Sequence, residues 1–313
     1  MKRLLSVVFL MLVALSAWAD TGMLDPARLK LASANVLVLD AAADRQLYAK
    51  AADEVTPIAS VTKLMTAMVV LDSQQPLDDV LDIDTADYDW LKNSSSRLRA
   101  GTTLSRREML RLALMSSENR AASSLARHFP GGTQAFVTAM NFKAASLGLT
   151  HTHYSDPTGL SPENVSTASD LAKLVQAAAE YPMIREFTTT PSYLVEMDTG
   201  RMLGFNNSNA LVKKQDWDIT LQKTGYIREA GKCVVMLVNI ASKPFVIVLL
   251  DSLGKYTRIA DAQRVKHWLE TGESLALAPV RAARAVKVRA ASQLHRRTHG
   301  TLHPRLIKTS QKQ

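Results

Sequence analysis

The sequence has one cysteine, Cys233, in 313 residues, so no intramolecular disulfide can form and the fold must be held by packing. Cys233 opens the apolar run Cys233-Val234-Val235-Met236-Leu237 with no histidine nearby in sequence, which predicts a buried structural thiol rather than a nucleophile. Beyond the first 20 residues no apolar run reaches membrane-spanning length. The nearest candidate, Val234 to Leu250, is divided by Lys243-Pro244 and reads as a hairpin. Acidic residues are absent from 280–313, which holds nine Lys or Arg, so the net charge of +9 belongs entirely to that tail and the remainder sums to zero. Basicity is therefore a property of the tail and not of the domain, and nucleic acid is not an expected partner. There is no internal repeat.

What is present begins with a leader. Lys2 and Arg3 precede the apolar run Leu4 to Leu15, and Ala17-Trp18-Ala19 supplies an A-x-A cleavage site. Residues 1–19 read as a secretory signal, with the mature chain starting at Asp20. No cysteine follows the leader to carry lipid. A hydrophobic fraction of 47% with 21% charged residues fits a folded globule over 20–279. The residues 280–313 read as a disordered basic arm able to touch anionic membrane or wall polymer.

Between these ends, hydrophobic period separates strands from helices. Asn35 to Leu39 and Gln46 to Ala49 alternate as a strand pair turned at Ala41–Asp44. Helical spacing runs from near Ser60 to Leu71, from Arg106 to Met115, from about Ala121 to His128, from Thr133 to Leu147 and from Ser166 to Ala179. Strand character returns from Leu194, with a hairpin at Cys233–Ile240 and Phe245–Leu250 and a last helix near Tyr256–Thr271. Strands at both ends and helices between them predict an α/β fold of the α+β type. One antiparallel sheet would be built from both chain ends, with a helical lobe inserted.

Three short motifs carry the chemistry. In Ser60-Val61-Thr62-Lys63 the serine and lysine, three apart, share one helical face. Helix-start N–H groups there favour an oxyanion, and a desolvated lysine can take the serine proton. In Ser117-Glu118-Asn119 a hydroxyl and an amide fall between two predicted helices, and Glu118 has no assigned role. In Lys223-Thr224-Gly225 a cation and a hydroxyl open a predicted strand, and the glycine admits a close substrate backbone. Alone, each motif also fits capping or a solvated lysine; an S-x-x-K match arises about once by chance in such a length. His151-Thr152-His153 lacks the acidic or cysteine partners of a metal site and reads as a surface turn.

With Met115 to Ala122, Asp156-Pro157-Thr158-Gly159-Leu160-Ser161 and Leu221 to Gly225, these motifs resemble those of the penicillin-recognising serine acyltransferases. More narrowly, the chain is similar to low-molecular-mass penicillin-binding proteins of the type-7 class, D-alanyl-D-alanine endopeptidases, over about residues 30–272. The resemblance implies a β-lactamase/DD-transpeptidase-like fold and a Ser60 acyl-enzyme, with Lys63 as base and Ser117 relaying a proton with Asn119. Lys223, Thr224 and Gly225 would orient the substrate, and the N–H groups of Ser60 and Tyr226 would form the oxyanion hole. It further implies hydrolysis of D-Ala-containing peptidoglycan cross-links in the periplasm, no cofactor or metal, and covalent inhibition by β-lactams. The chain has no E-x-x-L-N element, which disfavours fast antibiotic turnover. D-Ala carboxypeptidase activity and a non-catalytic wall-binding module are the alternatives.

Overall fold

The computed structural model describes residues 24–197, 200–254 and 256–277; the leader (1–19) and basic tail (280–313) expected from sequence lie outside the described residues. β1 (Asn35–Asp40) and β2 (Arg45–Lys50) form the first hairpin. A two-residue strand β3 (Thr56–Pro57) then leads through a 3₁₀ turn, Ala59–Thr62, into α1 (Lys63–Asp72). Strands β4 (Val80–Asp82) and β5 (Thr103–Ser105) pair around a long excursion, and Ser105 caps α2 (Arg106–Met115) with Glu108 in a reciprocal capping box. Next come α3 (Asn119–Arg127), α4 (Gly132–Ser146), β6 (Val165–Ser166) and α5 (Ala168–Ala179), whose N-cap is Thr167. α6 (Pro182–Thr189) precedes a small hairpin, β7 (Ser192–Glu196) with β8 (Met202–Asn206). Three ten-residue strands, β9 (Asp218–Ile227), β10 (Gly231–Ile240) and β11 (Lys243–Ser252), and the helix α7 (Thr257–Thr271) complete the chain.

The main sheet has the order β2-β1-β11-β10-β9, all antiparallel, so both chain ends build it and the helices from α1 to α6 are inserted between, as the sequence predicts. Alternation along its strands sorts side chains into two cores. Leu37 and Leu39 of β1, Cys233 and Val235 of β10, and Val246 and Val248 of β11 join the helical lobe. Their neighbours Val36, Val38, Val234, Met236, Ile247 and Leu249 pack on the other face with Val265 and Trp268 of α7. The middle stretches of the central strands, Val36–Leu39, Cys233–Val238 and Phe245–Leu250, are thus apolar throughout because both faces are covered. Cys233 is buried as expected, and burial pushes its thiol up to about 11, an inert value.

Three local expectations change. Ser60 sits in a 3₁₀ turn rather than the first turn of an α-helix, which starts only at Lys63. Lys223-Thr224-Gly225 lies inside β9 rather than at its start, because the alternation begins five residues earlier at Asp218. α6 carries a proline at its first position, a start signal that the sequence reading passed over. Among the described residues no helix is long and apolar enough to cross a membrane.

Candidate active site

A 3₁₀ turn eclipses residues i and i+3, so it stacks Ser60 directly over Lys63. Lys63 Nζ donates to Ser60 Oγ at 2.8 Å, and also to Asn119 Oδ1 at 2.7 Å and to the Thr158 carbonyl at 2.6 Å. Three acceptors exhaust the donors of an ammonium and fix its position. Neither Ser60 nor Lys63 plays the ordinary surface role: Ile58 and Thr62 occupy the N-cap positions, and Lys63 is 1% exposed.

Burial is what tunes this amine. Lys63 is lowered to about 7 by desolvation, against the opposing negative charges of Asp156, Glu118 and Asp89. At neutral pH a substantial fraction of it is therefore free base, able to accept the Ser60 proton. Glu118 stands at the N-cap of α3 with a mostly buried carboxyl. Burial raises its pKa, against hydrogen bonds from Ser96 and the Arg120 N–H and the charges of Lys63 and Arg120.

The carbonyl that receives Lys63 belongs to a loop tied by two side chains. One Asp156 oxygen accepts from Thr158 N at 2.6 Å and Gly159 N at 2.8 Å, and the other from Ser161 N at 2.9 Å. Asn164, fully buried, accepts from Ser155 N at 2.8 Å and Asp156 N at 3.1 Å and donates to Thr62 Oγ1 at 3.0 Å. The turn predicted at Asp156–Gly159 is thus tied through Asn164 to Thr62, the residue preceding Lys63. We expect the acid limb of Ser60 acylation to lie near pH 7 and to move to lower pH in Asp156→Asn. Removing that charge lowers the amine's proton affinity, leaving more free base on the acid side. Stopped-flow acylation by a chromogenic β-lactam across pH 5–9 checks this; an upward or absent shift refutes it.

The second and third motifs meet each other. Lys223 Nζ donates to Ser117 Oγ at 2.9 Å and to its neighbour's carbonyl, Thr224 O, at 2.9 Å. Lys223 is fully buried, not an exposed strand-edge cation; desolvation holds it well below its ordinary value, helped by the charges of Lys63 and Arg258. Ser117 adopts φ +63°, a left-handed conformation uncommon in a non-glycine residue, in the joint between α2 and α3. Asn119 is the first residue of α3; its Oδ1 faces Lys63 and its Nδ2 donates to Ser94 Oγ at 2.9 Å. Thr224 Oγ1 donates to Ser208 Oγ at 2.7 Å. Gly225 runs so close to the serine turn that a β-carbon there would lie 2.9 Å from Ile58 O and 3.1 Å from Ser60 N.

These groups line one open cleft of about 750 Å³, bordered by Ser60, Ser117, Asn119, Thr224, Gly225 and Tyr226, with Lys63 and Lys223 buried behind it. All eight residues singled out from the sequence converge here. Sequence reasoning missed Ser94, Ser208 and Arg258, which also border the cleft. Arg258 donates to Gly225 O at 3.0 Å and Cys233 O at 3.2 Å, so α7 grips β9 and β10 behind the glycine. Nothing local marks these three, since each is joined to the motifs only by tertiary packing. Among the described residues no group of His, Cys, Asp or Glu is arranged to hold a metal ion.

The arrangement can therefore transfer an acyl group: an activated hydroxyl, a desolvated amine beside it, a second hydroxyl held by a second lysine, and donors from an accessible strand. The comparisons agree with that chemistry. Residues 23–253 match the family model of peptidase S11, described as D-alanyl-D-alanine carboxypeptidase. A D-alanyl-D-alanine endopeptidase of Pseudomonas aeruginosa is 49% identical over 88% of this chain and 91% of its own, and one of Escherichia coli is 47% identical over 81% of each. The crystal structure of the Streptomyces K15 DD-transpeptidase superposes with a TM-score of 0.71 at 28% identity, covering 76% of this chain and 97% of that one. The chain belongs to the S11 family of serine peptidases, the D-alanyl-D-alanine carboxypeptidase family.

Proposed function

We propose that this protein is a serine D-alanyl-D-alanine endopeptidase that hydrolyses D-Ala-containing cross-links of peptidoglycan, with Ser60 as its nucleophile. The observation that carries the reading is Lys63 Nζ, buried and 2.8 Å from Ser60 Oγ. The endopeptidase name of relatives matched over most of both chains supports the choice of bond. Lys63 takes the Ser60 proton as Oγ attacks the D-Ala carbonyl carbon, and the N–H groups of Ser60 and Tyr226 receive the oxyanion. The C–N bond then breaks, and the proton passes through Ser117 Oγ to the departing amine. Because Lys223 donates to Ser117 Oγ, the serine's own hydrogen is left to point at that amine. Water next attacks the ester carbon, gives a proton to Lys63, and Ser60 Oγ leaves with it restored.

Asn119 positions Lys63, while Thr224, Gly225 and Tyr226 align the substrate backbone along β9. The edge position of β9 in the sheet suits an extended peptide added as a further strand. β-Lactams enter as covalent inhibitors. Residues 1–19 serve for export to the periplasm, residues 20–279 form the catalytic domain, and the basic tail contacts anionic membrane or wall polymer. The test is to incubate the protein with cross-linked muropeptide dimers and with uncross-linked pentapeptides and to read products by mass spectrometry. Dimers are expected to fall to monomers. Loss of terminal alanine from pentapeptides with dimers intact would make it a carboxypeptidase, and cleavage of neither would leave a binding module.

A further inference from the structure

Beside the catalytic cleft lies a second concavity of about 450 Å³, bordered by Ser96, Arg97, Arg99, Thr102, Arg201 and Leu203. Of its three arginines, Arg97 is held in place by a ring contact and by the buried turn beside it. Leu98 is fully buried, its carbonyl accepts from Arg120 Nη1 at 2.6 Å, and its N–H donates to Ser96 Oγ at 3.0 Å. With Leu98 turned inward, its neighbours Arg97 and Arg99 are both exposed. Arg97 lies over the buried ring of Phe205, 4.2 Å from the centroid, which holds the guanidinium against β8. Arg201, exposed, comes from the same β7–β8 hairpin.

Among the described residues the arginines that form ion pairs are Arg28, Arg106, Arg107, Arg111, Arg127 and Arg264, and none of the three here. Three guanidinium groups bordering one hollow, none of them in an ion pair among the described residues, repel one another. The arrangement costs stability and is relieved by an anion. Both walls continue into the cleft. Ser94, two residues before Ser96, borders the cleft and receives Asn119 Nδ2, and two residues span at most about 7 Å. Ser208, just beyond β8, bonds Thr224.

We propose that Arg97, Arg99 and Arg201 form a subsite for the free carboxylates of a peptide whose neighbouring segment occupies the cleft; in the wall substrate this is the acidic stem next to the scissile bond. The identity of that substrate rests on the function proposed above, but the preference for carboxylates does not. Guanidinium forks suit carboxylates held in pairs of parallel hydrogen bonds, and Leu203 gives the peptide's carbon atoms an apolar wall.

The subsite is tested by titrating an acidic tetrapeptide and its fully amidated counterpart into the full chain carrying Ser60→Ala, by calorimetry. A second preparation also carries Arg99→Ala and Arg201→Ala. The acidic peptide is expected to bind about tenfold more tightly than the amidated one, an advantage lost in the double arginine variant and weakened at high salt. Equal affinity for the two peptides, or no binding of either, overturns the proposal. In the catalytic background the same arginine substitutions are expected to raise KM for muropeptide dimers about tenfold, with kcat and β-lactam acylation near wild type. An unchanged KM would count against the subsite. If wild-type protein cuts no dimers, the endopeptidase reading falls, while the peptide titration still decides the subsite.

Discussion

Lys63→Met is expected to slow acylation of Ser60 by about 10²- to 10⁴-fold, the range a positioned base contributes, and Ser60→Ala to abolish covalent β-lactam uptake altogether. Methionine fills nearly the same buried volume as the lysine stem but offers no lone pair where Nζ now stands 2.8 Å from Ser60 Oγ. Neither the nearby amine nor the nearby amide can substitute. Lys223 is committed to Ser117 Oγ and Thr224 O, and Asn119 presents Oδ1, a far weaker base. Lys63→Arg fails for a different reason: a guanidinium stays protonated at every working pH, so the proton has nowhere to go. The two replacements act on one step, and a Ser60→Ala, Lys63→Met double variant should cleave dimers no more slowly than Ser60→Ala alone.

The same substitution separates chemistry from stability. Losing Nζ leaves Asn119 Oδ1 without its donor, at about 1–3 kcal/mol, and leaves the Thr158 carbonyl only a long bond of 3.4 Å from Ser60 Oγ. Against this, an amine held down to about 7 by desolvation is itself a burden on the folded state. The two effects oppose, and the melting midpoint of Lys63→Met is expected within about 5 °C of wild type. Fluorescent-penicillin labelling beside a thermal melt reads both quantities. Labelling at the wild-type rate would remove Lys63 from the role of base.

That balance also explains what the sequence revealed and what it withheld. The sheet was legible because β1, β10 and β11 are apolar on both faces, a pattern that only a covered central strand tolerates. The motif residues were legible because their chemistry is carried by residue type: a serine three before a lysine, or a lysine beside a hydroxyl. Their environment was not. Residue type alone left a solvated lysine open at Lys63 and at Lys223, yet both are buried, and the groups around each come from residues distant in the chain. Thr158 lies 95 positions from Lys63, and Ser117 lies 106 from Lys223. Arg258 and Ser208 carry no local signal at all, since α7 and the end of β8 meet the cleft only after the sheet has closed. The 3₁₀ turn at Ser60 was hidden for a related reason. It follows from Ala59, held at φ +48°, and from the close passage of Gly159 and Gly225 against it.

Gly159→Ala should be the most damaging single methyl group that the site can receive. Gly159 has φ +80°, and a β-carbon there would lie 2.0 Å from Ala59 O, 2.4 Å from Ala59 C and 2.9 Å from Ser60 N. All three are backbone atoms, so no side chain can swing aside. If the Ala59 turn yields, Ser60 leaves its place over Lys63; if the Gly159 loop yields, the Thr158 carbonyl is pulled from Nζ. The loop resists, because Asp156 holds its N–H groups and Asn164 ties it to Thr62. We expect a loss of about 3 kcal/mol or more, seen as a fall in melting temperature of at least about 6 °C. Acylation should slow about 100-fold through misplacement of the reacting atoms. Gly148→Ala is the matched comparison: it also has positive φ, +66°, but nothing within 4 Å of the added carbon. It should cost only the backbone term, about 1 kcal/mol, and leave acylation unchanged. Equal effects of the two substitutions on labelling rate would mean that contact between the Gly159 loop and the serine turn does not hold the nucleophile.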